Sequence, residues 1–394
     1  MAKDRRRCVR HHWFVLVAQI EISYSDTRAP GPATVKEERP DMCQPIRFKN
    51  TTTQLALAVL IMLCANTCFA QVSYSTFNYP GAVGDSTFLT GVRGAGGGDV
   101  YITGTYMQQG STDTQGLLYQ GSLSGGDQWT ILNFPGADVT STALYGPDGL
   151  PPDNVRLVGS YKQTETGQQD HGLLYEGPPD GTGTWQTIDF SSVGETVLNT
   201  IAHSTMGGLV VGNFDTNLAT GKAFVYDIDN NSWVELVKPG AVSITAYGIW
   251  YNGGTQYTIA GGYSNANLSG IDHGYLVNWD SAIQTPSDWT SYDFNNSRIG
   301  VAISHFNGIT GDGRGGFYLT GDWVGVLPPD VGAFFAHVFR VPGRSFSLAQ
   351  WTQIAYPSAQ VTSGNTVFEN HVLGVYTVSG SSVVNGYVAT VRRR

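Results

Sequence analysis

Six times between Gln71 and Val391 the chain returns to the same three-part pattern, and no other feature constrains its fold as tightly. A unit opens on an aromatic residue with a proline or turn residue six positions later: Tyr74 with Pro80, Trp129 with Pro135, Trp185 with Ser191. Trp233 with Pro239, Trp289 with Asn295 and Trp351 with Pro357 follow. Next comes an apolar pair, a glycine, any residue and an aromatic, at Gly104, Gly159, Gly212, Gly261 and Gly321, with the variant "LGVY" at Gly374. The third element reads "QGLLYQG", "HGLLYEG", "KAFVYD", "HGYLVNW", "FAHVFRV" and "NGYVATV". The period is about 55 residues.

This recurrence decides how Asp170-His171-Gly172 is read. The place of His171 is taken by Gln115, Lys222, His273, Phe335 and Asn385 in the other units. Residues so unlike cannot share one catalytic role, so the stretch is architecture first.

Each element is a short apolar or alternating run closed by Gly, Pro, Asn or Asp, which is strand and turn chemistry. A further strand-like stretch lies between the proline and the Gly-x-aromatic element ("STFLTGV", "STALYG", "VLNTIAHS", "SITAYGIW", "GVAISHF", "TVFENHV"). Four strands per unit, six units and no helical periodicity predict an all-β, six-bladed propeller over residues 71–394. Tyr74–Tyr79 is expected to pair with Gly386–Val391 and close the ring, since an open array would leave free strand edges. A solenoid is the alternative, but it calls for capping repeats. The tryptophan row is expected to fill the wedge between blades, and the repeat glycine to sit where backbones approach closely.

Ahead of the repeats, Arg47 and Lys49 precede an apolar run from Leu55 to Cys64, and Cys68-Phe69-Ala70 offers small residues for cleavage. Residues 42–70 therefore read as a secretory signal, and 1–41 as an over-extended gene start or a disordered leader. The expected location is secreted or extracellular, with periplasm or cell surface as variants and no membrane span in the mature form. All four cysteines, Cys8, Cys43, Cys64 and Cys68, precede the repeats, so disulfide, thiolate-metal and cysteine-nucleophile chemistry is excluded from them. The repeat region carries 12 Lys and Arg against 25 Asp and Glu, which argues against nucleic acid or an anionic membrane as partner.

The combination "NFPGA", "LVGSY" and "DHGLLYEG" resembles the HAF-type secreted extracellular repeat proteins, and the likeness runs through nearly all of 71–394. Lys222-Ala223-Phe224 and the long fifth unit depart from that pattern. "AGGY" at Gly261–Tyr263 and "VYDIDNNSW" are similar to pieces of kelch propellers. Neither resemblance implies a particular reaction, because propellers host many functions. The copper-radical oxidases built on kelch propellers need a cysteine that the repeats lack.

Candidate ligand-binding residues follow from the expected blade order. The turns after the proline elements and those between second and third strands should share one rim. That rim would hold Asp113, Glu165, Asp170, Asp215, Asp272 and Asp330, either as a ligand-binding ring of carboxylates or, the favoured reading, as Asx-type turn residues. His203, His305 and His371 are expected in or near the innermost strands at different offsets, and are read as satisfied channel histidines rather than a metal site. Glu369, two residues from His371 and on the same strand face, is the place to look for acid–base work. "GDGRGG" (Gly311–Gly316) and "DIDNN" (Asp227–Asn231) are read as turns. No catalytic residue, metal or cofactor is assigned.

The sequence thus predicts a non-catalytic extracellular binding or surface-interaction module with a protein or glycan ligand. The rival is a propeller hydrolase or lyase acting on an extracellular polysaccharide, which should break the repeat symmetry at one place. The loop "WVGVLPPDVGAFFAHV" of the fifth unit is expected to overhang the rim and bias any site to that side.

Overall fold

In a computed structural model, the structure describes residues 71–392, apart from Asp127, Glu165, 192–193, 219–220, 266–271, Arg298, 328–330 and 342–345. The expected signal segment, the fifth-unit residues 328–330 and the candidates Glu165 and Asp330 lie outside the described residues. The side chain of Asp272 does too.

Six four-stranded antiparallel sheets follow one another along the chain, as the repeats predict. Blade 1 comprises β2 (Ser86–Gly96), β3 (Asp99–Met107), β4 (Thr114–Gly121) and β5 (Gln128–Ile131). Blade 2 is β6 (Val139–Leu150), β7 (Asn154–Gln163), β8 (Asp170–Gly177) and β9 (Thr184–Thr187). Blade 3 is β10 (Val197–Met206), β11 (Leu209–Thr216), β12 (Lys222–Asp227) and β13 (Ser232–Leu236). In blade 4 these are β14 (Ala241–Gly253), β15 (Gln256–Asn265), β16 (Asp272–Asp280) and β17 (Thr285–Tyr292). Blade 5 has β18 (Val301–Gly311), β19 (Phe317–Gly325), β20 (Val331–Val338) and β21 (Gln350–Ile354). Blade 6 is built from both ends of the repeat region: β22 (Val361–Phe368), β23 (His371–Thr377) and β24 (Asn385–Arg392), completed by β1 (Gln71–Thr76).

The closure is antiparallel, with Tyr74 opposite Ala389 and Thr76 opposite Tyr387. Phe77 N extends the ladder to Gly386 O at 2.8 Å. Beyond it Asn78 turns its side chain onto Asn385 and the Gly386 amide. The ring therefore has no free edge at its seam, the liability that an open sheet carries.

Both faces of every inner sheet are covered by a neighbouring blade, so second strands such as β7 and β15 are buried almost without interruption. The core accordingly lies between blades. Leu118 of blade 1 packs with Leu144, Leu157 and Leu173 of blade 2, and Val158 of blade 2 with Val210, Phe214 and Phe224 of blade 3.

The three repeat elements meet at the blade junctions, as a stacked aromatic sandwich at four of the six and edge-on between Tyr79 and Tyr106 at the junction of blades 6 and 1. The residue before the proline position leaves one blade and stacks on the Gly-x-aromatic ring of the next. Phe134 lies 3.8 Å from Tyr161, Phe190 4.0 Å from Phe214, and Tyr356 3.7 Å from Tyr376. The repeat tryptophan of the receiving blade meets the same ring from its edge, Trp185 on Phe134 and Trp233 on Phe190. In blade 4, Lys238 replaces the stacking ring and sets its ammonium 4.2 Å from the Tyr263 ring centre and 5.6 Å from that of Trp289. The tryptophan row thus fills the outer wedge, as its size suggests.

The repeat glycine has an equally local cause. A Cβ on Gly104, Gly159, Gly212, Gly261, Gly321 or Gly374 would overlap a carbonyl oxygen of the innermost strand, that of Phe88, Ala143, Ile201, Thr245, His305 or Ser363. Those carbonyls are pushed outward because each innermost strand carries a β-bulge just beyond them.

Loops leaving each outermost strand and loops between second and third strands share one rim, as expected. Backbone bonds tie them there: Thr164 N to Asp138 O (3.1 Å), Asn217 N to Thr196 O (2.9 Å) and Val326 N to Gly300 O (3.1 Å).

Candidate functional site

The six bulges define the site. In each innermost strand a mid-strand bulge, just beyond the carbonyl that meets the repeat glycine, leaves one residue without a partner across the ladder: Thr90, Tyr145, His203, Tyr247, Asn307 and Asn365. A bulge re-aims its side chain and recurs next to functional centres. Here the six contact one another or the neighbouring blade in ring order around the axis. Thr90 Oγ1 donates to Leu144 O at 2.5 Å. The Tyr145 and His203 rings lie 5.1 Å apart, His203 and Tyr247 3.9 Å, and Tyr247 and His305 4.7 Å. His305 Nδ1 meets Asn307 Oδ1 at 2.7 Å, Asn307 Nδ2 donates to Gly364 O at 2.9 Å, and Asn365 Nδ2 donates to Leu89 O at 2.7 Å.

The ring is two-sided. Blades 2 to 4 supply aromatic faces, with Tyr145 and Tyr247 half-buried, while blades 5, 6 and 1 supply amides and a hydroxyl. Behind this wall, the residue after the repeat glycine on the second strand meets the bulged residue directly in blades 3 and 5. Asn213 Oδ1 meets His203 Nε2 at 2.5 Å. In blade 4 that residue is Gly262, and a side chain there would overlap the His305 ring. In blade 5 it is Asp322, where the other blades have Thr105, Ser160, Asn213, Gly262 and Val375.

Asp322 is the carboxylate that breaks the symmetry. It accepts from Asn307 Nδ2 (2.8 Å) and the Gly364 amide (2.9 Å), and lies 3.0 Å from Ser363 Oγ. Burial pushes its pKa up to about 6, against these hydrogen bonds, which lower it. Burial likewise holds His305 down at about 4, so its imidazole is neutral in ordinary solution. His305 Nε2 lies 2.6 Å from Thr245 Oγ1.

One strand-turn below the ring, Arg93 crosses the channel. It is 8% exposed and donates to Ile249 O at 2.8 Å, Ser204 Oγ at 3.3 Å and Ile309 O at 3.4 Å, reaching three other blades. Asp148 of blade 2 supports its charge against desolvation, and Trp250 lies under it at 5.7 Å. The guanidinium therefore spans the channel from blade 1 to blades 3, 4 and 5.

The residues singled out from sequence fall in three places. His203 is one of the six ring residues, while His305 is paired in its strand and lies beside the ring; their offsets differ, and Tyr247 contacts both. Asp170 and Asp215 sit on the rim side and meet through Asn199, whose Oδ1 accepts from Asp170 N (3.0 Å) and whose Nδ2 donates to Asp215 Oδ2 (3.4 Å). Asp170 also takes Ser160 Oγ at 3.2 Å and Lys162 Nζ at 3.7 Å. Asp113 is exposed in its loop, apart from this pair. Asp272 begins β16, where its backbone bridges to Ile303 of blade 5.

Glu369 and His371 lie elsewhere. The innermost strand of blade 6 is Val361–Phe368, so Glu369 occupies the following turn with φ 51° and His371 opens the second strand. This corrects the expectation that both share a strand face by the channel. His171 is architectural, its Nδ1 2.7 Å from Asp189 Oδ2 within its own blade, and His273 pairs with Asp293 in the same way at 2.9 Å.

No protein-family model and no curated protein matches the sequence. Among solved structures, a protein of unknown function from Dyadobacter fermentans aligns with TM-score 0.45 and 9% identity over 82% of this chain and 99% of that one. The α-L-arabinofuranosidase Arb93A from Fusarium graminearum gives 0.45 and 11% over 82% and 97%. A family 32 β-fructofuranosidase from Bombyx mori gives 0.40 and 10% over 88% and 99%.

Proposed function

We propose that the chain is an extracellular binding module of the HAF-type repeat kind, exported by residues 42–70, which takes a neutral, hydroxyl-rich ligand such as a glycan end into the channel socket. The observation that carries this reading is the ring of six bulged residues, aromatic on one arc and amide-lined on the other. A sugar ring presents an apolar face and a rim of hydroxyls, and such a socket offers a partner for each. Its polar groups are already oriented by inter-blade bonds, which lowers the ordering cost of binding.

A thermal-shift screen of the full chain against neutral, acidic and basic oligosaccharides and peptides tests the reading, since a ligand that binds the native state raises the melting temperature. Neutral glycans should shift it, and Tyr247→Ala should abolish the shift. A panel in which only peptides act would overturn the ligand class.

Asp322 favours a second reading, the polysaccharide hydrolase or lyase. A carboxyl raised to about 6 beside a ligand socket is the kind of group acid catalysis employs. Release of product from a glycan that shifts the melting temperature, lost in Asp322→Asn, would establish it.

A further inference from the structure

Ser363 Oγ lies 3.0 Å from Asp322 Oδ2 and 2.9 Å from Asn365 Oδ1. A serine hydroxyl has one hydrogen to donate. Neither amide can be turned to relieve the shortage. Asn365 Nδ2 donates to Leu89 O at 2.7 Å, which leaves Oδ1 facing Ser363. Asn307 Nδ2 donates to both Asp322 Oδ2 and Gly364 O, which leaves its Oδ1 for His305 Nδ1 and requires a hydrogen there. With Asp322 ionised, whichever way the Ser363 hydrogen points, two oxygen lone pairs face each other across the remaining contact. With a proton on Oδ2 both contacts are satisfied: Asp322 Oδ2–H donates to Ser363 Oγ, and Ser363 donates to Asn365 Oδ1.

We propose that Asp322 carries a proton in mildly acidic solution, and that its loss redirects the Ser363 hydrogen to the carboxylate and frees the Asn365 carbonyl oxygen to accept from a ligand. Asp322 is then a positioning residue that sets the hydrogen-bonding character of the channel ring. The proton passes to solvent on loss, and no other bond changes.

The surroundings favour the neutral acid. On β18 the facing titratable group is His305, held neutral by burial. β14 brings Tyr247 and β24 brings Tyr387, both pushed further toward the neutral phenol by burial. β22 brings Ser363 and Asn365, and β20 sets Ala333 opposite Asp322. No lysine or arginine is among the groups that set its ionisation.

Infrared titration of the unliganded full chain from about pH 4 to about pH 8 reads the proton directly. A protonated-carboxyl band should disappear with a midpoint about 6 and be missing from Asp322→Asn. Asp322 ionised throughout that range would overturn the proposal. Asn365→Leu separates hydrogen-bond counting from burial. Removing the competing acceptor releases the Ser363 hydrogen for the carboxylate, so the midpoint should fall. A midpoint that rises, as added apolar surface alone would dictate, contradicts the proposed bonding. The consequence for a ligand rests on the binding reading above, but the titration needs none, so the two can fail separately.

Discussion

The ring of Phe134 lies flat on that of Tyr161, centroids 3.8 Å apart and planes 2° from parallel, although the two residues belong to neighbouring repeats. This contact explains why an aromatic before the proline and an aromatic after Gly-x recur together. Each is one half of a junction whose other half lies in the next blade.

Phe134→Ala or Tyr161→Ala should therefore destabilise the fold by about 3 kcal/mol. The double variant should cost less than the sum, by about 1 kcal/mol, because stacked rings contribute beyond their buried area. Chemical denaturation of the four proteins checks this, and strict additivity would mean the stacking is incidental.

Repeat glycines should be intolerant in a position-specific way. Gly159→Ala places a methyl on the Ala143 carbonyl and should cost at least about 3 kcal/mol or prevent folding. Gly149→Ala, whose nearest neighbours would stand at 3.7 Å, should change stability by no more than about 1 kcal/mol. Equal tolerance at both sites would contradict the role given to the bulges.

Deleting Gln71–Thr76 removes the fourth strand of blade 6 and bares the edge of β24. The shortened protein should self-associate and melt at a lower temperature, as seen by light scattering and calorimetry. A monomer of unchanged stability would show that the seam is dispensable.

Two buried groups should oppose each other in the pH dependence of stability. Asp322 titrates higher in the native state than its ordinary 3.8, so it favours the fold fully below that value, and the benefit is lost as pH rises through about 6. His305 titrates lower than its ordinary 6.5, so its contribution is present above 6.5 and lost as pH falls toward about 4. Asp322→Asn should unmask the histidine slope, giving stability that drops more steeply from about pH 6.5 to about pH 4 than in the wild type. Parallel curves for the two proteins would refute this assignment.

The blades were legible because their residues serve the same contact in most copies. Tryptophan, glycine and the aromatic before the proline each answer one steric demand repeated around the ring. The channel ring was hidden for the opposite reason: Thr90, Tyr145, His203, Tyr247, Asn307 and Asn365 share a backbone position but no chemistry. One mark could have exposed it. In four units the bulged residue precedes a glycine (Gly91, Gly146, Gly248, Gly308) whose Cβ would strike the next blade. Ser204 and Thr366 stand there in blades 3 and 6. That lapse let the sixth innermost strand be placed around Glu369 and His371 instead of Asn365. Asp322 and Arg93 could not be read at all, because their importance comes from burial and from partners in other blades.

The central claim is that the two-sided ring of bulged residues receives a ligand. Calorimetric titration of the full chain with neutral oligosaccharides that raise its melting temperature tests it most directly, comparing wild type with Tyr247→Ala on the aromatic arc and Asn365→Ala on the amide arc. Both variants should lose at least tenfold in affinity while remaining folded. Binding undiminished in both would place the ligand elsewhere and contradict the account.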